Sequence, residues 1–295
     1  MIQTADPLLV IGASGRVGRL LAAHWAEARA AVCLQSRGAP VRADLPALRW
    51  APLEDGPAAL VAGLREMRRP RALVMLAGVT PPAADAAEMD VNARLAAACL
   101  EAAAEAGIDR VLLASSSAVY GGGRAVPWRE DEASDAPPSA YGAAKRAMEK
   151  VGAEWRERGL SVCSLRIGNV AGADALLINA AIAEPHFVDR FPSGWGPVRS
   201  YIGPASLARV IGTLADTPDL PEVLNVAAPA PVAMADLARV VGGDWRWRPA
   251  PEGAVERFTL DCSALTRRVH FAPAESTAAE MVAQWRACRT DPGAP

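Results

Sequence analysis

The 295-residue chain lacks any excess of positive charge: 31 basic side chains stand against 33 acidic ones, and no basic run stands out. The electrostatic footprint of a nucleic-acid binder is therefore missing. Apolar residues make up 51% of the chain, yet no apolar run is long enough to span a bilayer. The opening stretch, MIQTADPLLVIGASG, lacks a positive region followed by an apolar one, so a cytoplasmic location is expected. Only three histidines occur, His24, His186 and His270, with no HxxxH or HExxH, which argues against a metal site. The five cysteines, Cys33, Cys99, Cys163, Cys262 and Cys288, form no CxxC and are odd in number, so buried thiols are expected. A chain of this length buries a substantial core in one or two domains. There is no internal repeat and no long linker, and residues 290–295 read as a disordered tail.

What is present begins with Leu8–Ile11 (LLVI), the pattern of a buried parallel strand. It enters Gly12-Ala13-Ser14-Gly15-Arg16-Val17-Gly18, and a helical pattern follows over 16–29. In that context a GxxGxxG is meaningful. Gly12 permits a tight turn, Gly15 lets the backbone approach a pyrophosphate, and Gly18 lets helix and strand pack closely. Amides at the helix N-terminus favour phosphate charge. A second strand over 31–35 ends in Ser36-Arg37. The acidic side chain that an NAD site places on the ribose 2′-hydroxyl is missing there. Arg37 offers charge-assisted hydrogen bonds to a 2′-phosphate and a face for adenine, so NADP(H) is the expected cofactor and NAD(H) the alternative. An ordinary surface arginine is the competing reading.

Further strands over 48–53, 71–77, 110–114 and 161–167 alternate with helices over 58–67, 84–106 and 141–158. This rhythm predicts an α/β, doubly wound parallel (Rossmann) sheet. Ligands in such a sheet sit beyond the carboxyl ends of the strands, where Ser115, Ser116 and Ser117 follow the fifth strand. Tyr141 and Lys145, in YGAAK, lie four residues apart on one helix face. A free phenol has a pKa of about 10, and a nearby ammonium favours the phenolate. Lys145 is thus expected to lower the pKa of Tyr141 so that it can trade a proton. Asn92, inside an Ala-rich helix, is either solvated or turned inward to hold a water or a backbone carbonyl. After Asn169 the rhythm breaks. Residues 171–204 carry His186, Phe187, Phe191, Trp195 and Tyr201 among turns, which suits a lobe over the substrate. A helix over 205–216 and a strand at Val223–Val226 return to the sheet. The helix Met234–Val241, the Trp-rich 245–247 segment and a helix over 276–288 complete the lobe. The expected division is a dinucleotide domain, 1–170 with 205–227, and a small C-terminal substrate-binding lobe, 171–204 and 228–295.

Over nearly its whole length the chain resembles the extended short-chain dehydrogenase/reductases, the NAD(P)-dependent nucleotide-sugar epimerase/dehydratase family. GASGRVG (12–18) is similar to the family's glycine motif, VMLAG (74–78) to its HLAA strand end and DVNARLAAACLEAA (90–103) to its DVN helix. LLASSSAVYG (112–121) resembles its SSxxVYG, YGAAK its Tyr–Lys pair and SLRIGNVAG (164–172) its LRxxNVYG. VRSYIGPASLARV (198–210) resembles RDYIHVDDLA, and LNVAAPAPVAMADLARVV (224–241) resembles YNVGxxxPVTxxELA.

The resemblance implies roles. Tyr141 would be the acid/base, Lys145 its tuning partner and a ribose ligand, and Ser116 the catalytic serine, with Ser117 as runner-up. Ser14, Arg16, Val17, Leu53, Ala77, Gly78, Asn92 and Ile167 would join Gly12, Gly15, Gly18 and Arg37 around the dinucleotide. Asn169 and Arg199 would contact the phosphates of a nucleotide sugar. The departures also speak. Ser117 and Ala118 stand where dehydratases carry an acidic pair, and Ala118 where 3,5-epimerase-reductases carry a cysteine. Ser200, Gly203, Ala205 and Ser206 replace the polar residues of RDYIHVDDLA. His186 reads as a surface residue of the lobe. The expected function is NADP(H)-dependent hydride transfer at a carbonyl or secondary alcohol. Sugar-nucleotide 4-epimerisation and a non-catalytic NADP sensor are the alternatives. Relatives of this kind often form homodimers through the helices around 84–106 and 141–158.

Overall fold

The computed structural model describes residues 6–81, 88–182 and 185–289. In chain order the first part reads β1 (Leu8–Ile11), α1 (Arg16–Glu27), β2 (Val32–Ser36), β3 (Ala47–Arg49), α2 (Gly56–Leu64), β4 (Ala72–Met75), α3 (Val91–Glu105), β5 (Arg110–Ser116), α4 (Ala140–Glu157) and β6 (Ser161–Ile167). The second part adds β7 (Asn169–Val170), α5 (Ala175–Ile182), β8 (His186–Arg190), β9 (Val198–Arg199), β10 (Tyr201–Ile202), α6 (Pro204–Asp216) and β11 (Val223–Val226). It ends with β12 (Val232–Ala233), α7 (Met234–Val241), β13 (Trp245–Pro249), β14 (Arg257–Phe258), α8 (Ser263–Thr266) and α9 (Ala278–Arg289).

Seven strands form one parallel sheet in the order β11-β6-β5-β4-β1-β2-β3. The central strands β1 and β4 are apolar on both faces because both faces are covered, whereas the edge strand β3 buries only Leu48. Leu8 and Val10 of β1, with Ala72 and Val74 of β4, enter one core beside Leu21, Trp25 and Ile211. Leu9, Ile11, Leu73 and Met75 enter the other, beside Leu60, Leu100 and Met148. Each such aliphatic side chain contributes roughly 1.5–3 kcal/mol when fully buried. From β1 the chain first builds outward to β2 and β3, then crosses back to β4. The reversal opens a crevice at the carboxyl ends of β1 and β4, the usual ligand position in this architecture.

Several boundaries differ from the sequence pattern. β3 ends at Arg49 instead of running to 53, because Pro52 lacks an amide and the Ala51 amide donates to the Asp55 carboxylate at 2.7 Å. α2 starts at Gly56 with Pro57 in its first turn. α3 begins at Val91 after one tight turn, Glu88–Asp90, while 84–87 of the expected helix lie outside the described residues. The 290–295 tail lies outside them too. Within 171–204 the chain forms α5 and β8, which aromatic and turn content had hidden.

Beyond the main sheet, β10 pairs with β7, β9 sits between β12 and β14, and β13 pairs with β8. A third core, with Leu177, Val188, Tyr201, Leu237, Met281 and Trp285, lies among α5, α7 and α9. His186 is buried on β8, not at the surface, and neither ring nitrogen has a partner among the described residues. None of the five cysteines forms a disulfide and all are buried. Burial pushes the Cys99, Cys163 and Cys262 thiols up to about 12, which leaves them unreactive. Among the described residues no helix is long and apolar enough to cross a membrane.

Candidate active site

The glycine turn joins β1 to α1 at the switch point. Gly12 has φ +82°, and a Cβ there would lie 2.5 Å from the Ala77 amide nitrogen. A Cβ on Gly18 would lie 2.6 Å from the Ala13 carbonyl oxygen, so α1 packs directly on the turn. Gly15 caps α1 with no side-chain hydrogen bond, which leaves first-turn amides free to meet an anion. A cavity of about 310 Å³ opens beside them. Of the expected dinucleotide contacts, Gly12, Ser14, Gly15, Arg37, Leu53, Ala77 and Gly78 line it. A bare-backbone cradle, free helix amides and a cationic rim at Arg37 fit a dinucleotide.

The other expected contacts stand around that groove. Gly18 and the half-buried Val17 support the turn from behind, and Ile167 ends β6 opposite Ser116. Arg16 is exposed, and its guanidinium donates to the Thr80 hydroxyl at 2.9 Å. Asn92 is fully buried and turned inward. Its side chain accepts from the Val79 amide at 3.1 Å and donates to the Val79 and Met89 carbonyls. It therefore holds the loop after β4 by its main chain.

The carboxyl end of β5 meets the start of α4. A Cβ on Gly142 would lie too close to the Ala118 carbonyl oxygen, so glycine lets α4 press against the turn that follows Ser116. This brings the Ser116 hydroxyl near the Tyr141 phenol, close enough to favour its ionised form. The Ser116 Oγ accepts from the Ala118 amide at 3.2 Å, which leaves its proton free to donate. Lys145 lies one helical turn on, 4% exposed, and its Nζ donates to the Ala114 carbonyl at 2.7 Å.

The electrostatics depart from the spacing argument. Burial raises the Tyr141 pKa, and the opposing pulls come from the Ser116 hydrogen bond and the Arg16 charge. Lys145 is not the lowering partner. Its Nζ sits 5.9 Å from the Tyr141 ring centre and is turned to Ala114. Burial also draws Lys145 down to about 8, so it stays largely an ammonium at neutrality and loses that charge in the mildly alkaline range.

A second cavity, of about 280 Å³, lies in the lobe and is lined by Asn169, Asp174, Asn179, Asp189, Arg199 and Arg248 among others. The Arg199 guanidinium donates to the Val198, Val255 and Glu256 carbonyls. Three of its five N–H groups are thereby taken among the described residues.

Residues 8–194 match the model of the NAD dependent epimerase/dehydratase family. The chain belongs to that family. A UDP-glucose 4-epimerase of Azospirillum brasilense is 44% identical over 81 residues, 27% of this chain and 22% of that protein. The chain thus matches about a fifth of that relative's length. The structure of a Stenotrophomonas maltophila UDP-glucose-4-epimerase with bound NAD and formylated UDP-arabinopyranose superposes with a TM-score of 0.78 at 17% identity, covering 97% of this chain and 98% of that one. The NAD dependent NDP-hexosamine 5,6-dehydratase TunA gives a TM-score of 0.75 at 19% identity, covering 96% and 98%.

Where this epimerase/dehydratase member departs from the RDYIHVDDLA pattern, the replacements carry internal contacts. Ser200 Oγ accepts from the Leu260 amide at 2.9 Å, and Ser206 donates to Glu275 at 2.5 Å. Sequence reasoning missed Gln35, a polar residue inside an apolar strand. Its Oε1 accepts from the Gly12 amide at 2.8 Å, so it props the glycine turn and lines the same groove. It also missed Glu54, which brings a carboxylate to the Arg37 rim.

Proposed function

We propose that this protein transfers hydride between NADP(H) and a secondary-alcohol or carbonyl carbon of a nucleotide sugar. The observation that carries the reading is the junction of β5 and α4, which sets the Ser116 hydroxyl beside the Tyr141 phenol with Lys145 directly below. When bound along the glycine turn, the nicotinamide supplies or accepts the hydride. Ser116 donates a hydrogen bond to the substrate oxygen. Tyr141 gives that oxygen a proton on reduction and takes one on oxidation. Lys145 holds the helix to β5 and presents its ammonium beneath the phenol. Ser117 and Ala118 offer no second acid or base, which suits a reaction with one proton site. The 4-epimerase reading needs the same residues, and the UDP-glucose 4-epimerase relatives favour it as the second reading.

Arg37 on the groove rim supports NADP(H) over NAD(H). NADPH is expected to bind about ten-fold or more tightly than NADH, and Arg37→Ala to remove most of that margin. A charge-assisted hydrogen bond is worth roughly 1.5–3 kcal/mol. Fluorescence titration of both dinucleotides checks it, and equal dissociation constants for the wild-type protein refute the preference.

Asn169 and Arg199 share the lobe cavity, so nucleotide sugars are expected to raise the melting temperature of the dinucleotide complex. Arg199→Ala should abolish that rise. A panel of nucleotide sugars with no shift assigns the site to a small carbonyl compound instead.

A further inference from the structure

We propose that Glu149 is a positioning residue of this site: its buried carboxylate ties the serine-bearing end of β5 to α4 and supplies the counter-charge that keeps Lys145 an ammonium. The claim rests on the reading of Ser116, Tyr141 and Lys145 given above.

Tyr141, Lys145 and Glu149 recur every four residues, so they form one stripe along α4. Three consecutive residues of β5 meet that stripe. The Ala114 carbonyl accepts from Lys145 at 2.7 Å, the Ser115 hydroxyl donates to Glu149 at 2.6 Å, and the Ser116 hydroxyl lies near enough to the Tyr141 phenol to pull its pKa down. Glu149 is 1% exposed. Its two oxygens accept from Arg166 Nε and Nη2, both at 2.9 Å, and from half-buried Arg146 at 3.3 Å. Arg166 is buried as well, and donates onward to the Tyr120 hydroxyl at 3.1 Å and the Glu130 carbonyl at 2.7 Å. The Tyr120 hydroxyl in turn donates to Asn225 at 2.6 Å. Both Glu149 oxygens, the Arg166 Nε, Nη1 and Nη2 groups and the Tyr120 hydroxyl all have partners, while the buried Arg146 Nε has none among the described residues.

A buried ion pair is weak evidence of stabilisation, since apolar replacements of similar volume often do as well. Its place explains it better. Lys145 is itself a buried cation, and without Glu149 it and Arg166 would lie in the same core with no anion between them. Burial works against the Lys145 proton and Glu149 works for it. Several other charged groups stand on the elements packed around Lys145. They are Arg146 on α4, Arg166 on β6, Arg16 on the glycine turn towards Tyr141, and exposed Glu88 and Asp90 before α3. Among these carboxylates Glu149 is the one whose charge acts on Lys145.

Lys145 and Lys150 are the chain's only lysines, so lysine-selective isotope labelling gives two side-chain signals. An NMR pH titration of the full chain then reads Lys145 directly, with exposed Lys150 as the internal control. In the wild type Lys145 is expected to lose its proton near pH 8, as burial dictates. Glu149→Gln should lower its proton affinity about ten-fold or more, and Glu149→Asp should restore most of it, with Lys150 unmoved in both.

Glu149→Gln strands Arg166 without its carboxylate, so a double variant, Glu149→Gln with Arg166→Met, guards against loss of folding. The same downward shift, reduced by the loss of the Arg166 charge, is expected there. A Lys145 titration unchanged in the folded variants overturns the proposal. No substrate is needed, so failure of the nucleotide-sugar reading would leave this result standing. Where turnover is measurable, the alkaline limb of kcat should move to lower pH in Glu149→Gln while KM for the dinucleotide holds.

Discussion

Tyr141→Phe is expected to lower turnover by about 10²–10⁴-fold, the usual range for removing a positioned acid/base group, while the dinucleotide still binds. The ring stays and only the phenol oxygen goes. Ser116 keeps its bond from the Ala118 amide, and Lys145 keeps the Ala114 carbonyl, so neither anchor of the site depends on that oxygen. The melting temperature should move by no more than a few degrees. The direction of the Tyr141 shift adds a pH signature. Burial raises the phenol, so the folded protein holds the proton through neutrality. A protonated phenol is ready to donate, which favours carbonyl reduction near neutral pH. Oxidation needs the phenolate, so its rate should climb as pH rises into the alkaline range. Rates measured in both directions across pH check the sign. A reduction rate that rises with pH through the alkaline range would count against Tyr141 as the donor.

Gly12→Ala is expected to destroy dinucleotide binding and destabilise the fold together. The backbone there has φ +82°, and an added Cβ would lie 2.5 Å from the Ala77 nitrogen and 2.6 Å from its Cα. A left-handed conformation costs a residue other than glycine roughly 1–2 kcal/mol. Forcing a methyl against main chain adds about 1–3 kcal/mol. The wedge would open between the ends of β1 and β4, where the cavity lies. Gly56→Ala is the matched control: its φ is +69°, but an added Cβ meets nothing within 4 Å. That variant should lose a little stability and no dinucleotide affinity. Thermal melts and dinucleotide titrations of the two separate backbone strain from obstruction of the groove. Wild-type affinity in Gly12→Ala would remove the glycine turn from the binding site.

The legible parts of the chain were those where one local pattern decides the outcome. Ser161–Ile167 is a strand at the limits read from the sequence, its Val162, Cys163, Leu165 and Ile167 buried as the apolar pattern requires, while buried Arg166 is tolerated because Glu149 pairs with it. YGAAK lies on a helix because Ser139 caps its start, accepting from the Gly142 amide at 3.0 Å, and Ala143, Ala144 and Lys145 are good helix formers that outweigh Gly142. The lobe was less legible. β8 pairs with β13 from nearly sixty residues away, and α5 lies in a segment whose turns and aromatics masked its period. The electrostatics of the site were hidden for the same reason. Sequence spacing shows that Lys145 follows Tyr141 by four. It does not show the Ala114 carbonyl, 31 residues earlier, that takes the ammonium. Nor does it show burial, which sets the direction of both pKa shifts. Glu149 was within reach of the same spacing rule, one turn beyond Lys145, but its anion gains meaning only beside Ser115 and Arg166.

The most direct measurement is the near-ultraviolet absorbance of reduced nicotinamide when nucleotide sugars are added to protein loaded with oxidised dinucleotide. The expected result is that at least one nucleotide sugar reduces the bound dinucleotide in the wild-type protein, and that the signal vanishes in Tyr141→Phe with the dinucleotide still bound. An equal signal in both proteins, or nucleotide-sugar conversion with no reduced nicotinamide in single turnover, would contradict hydride transfer at Tyr141.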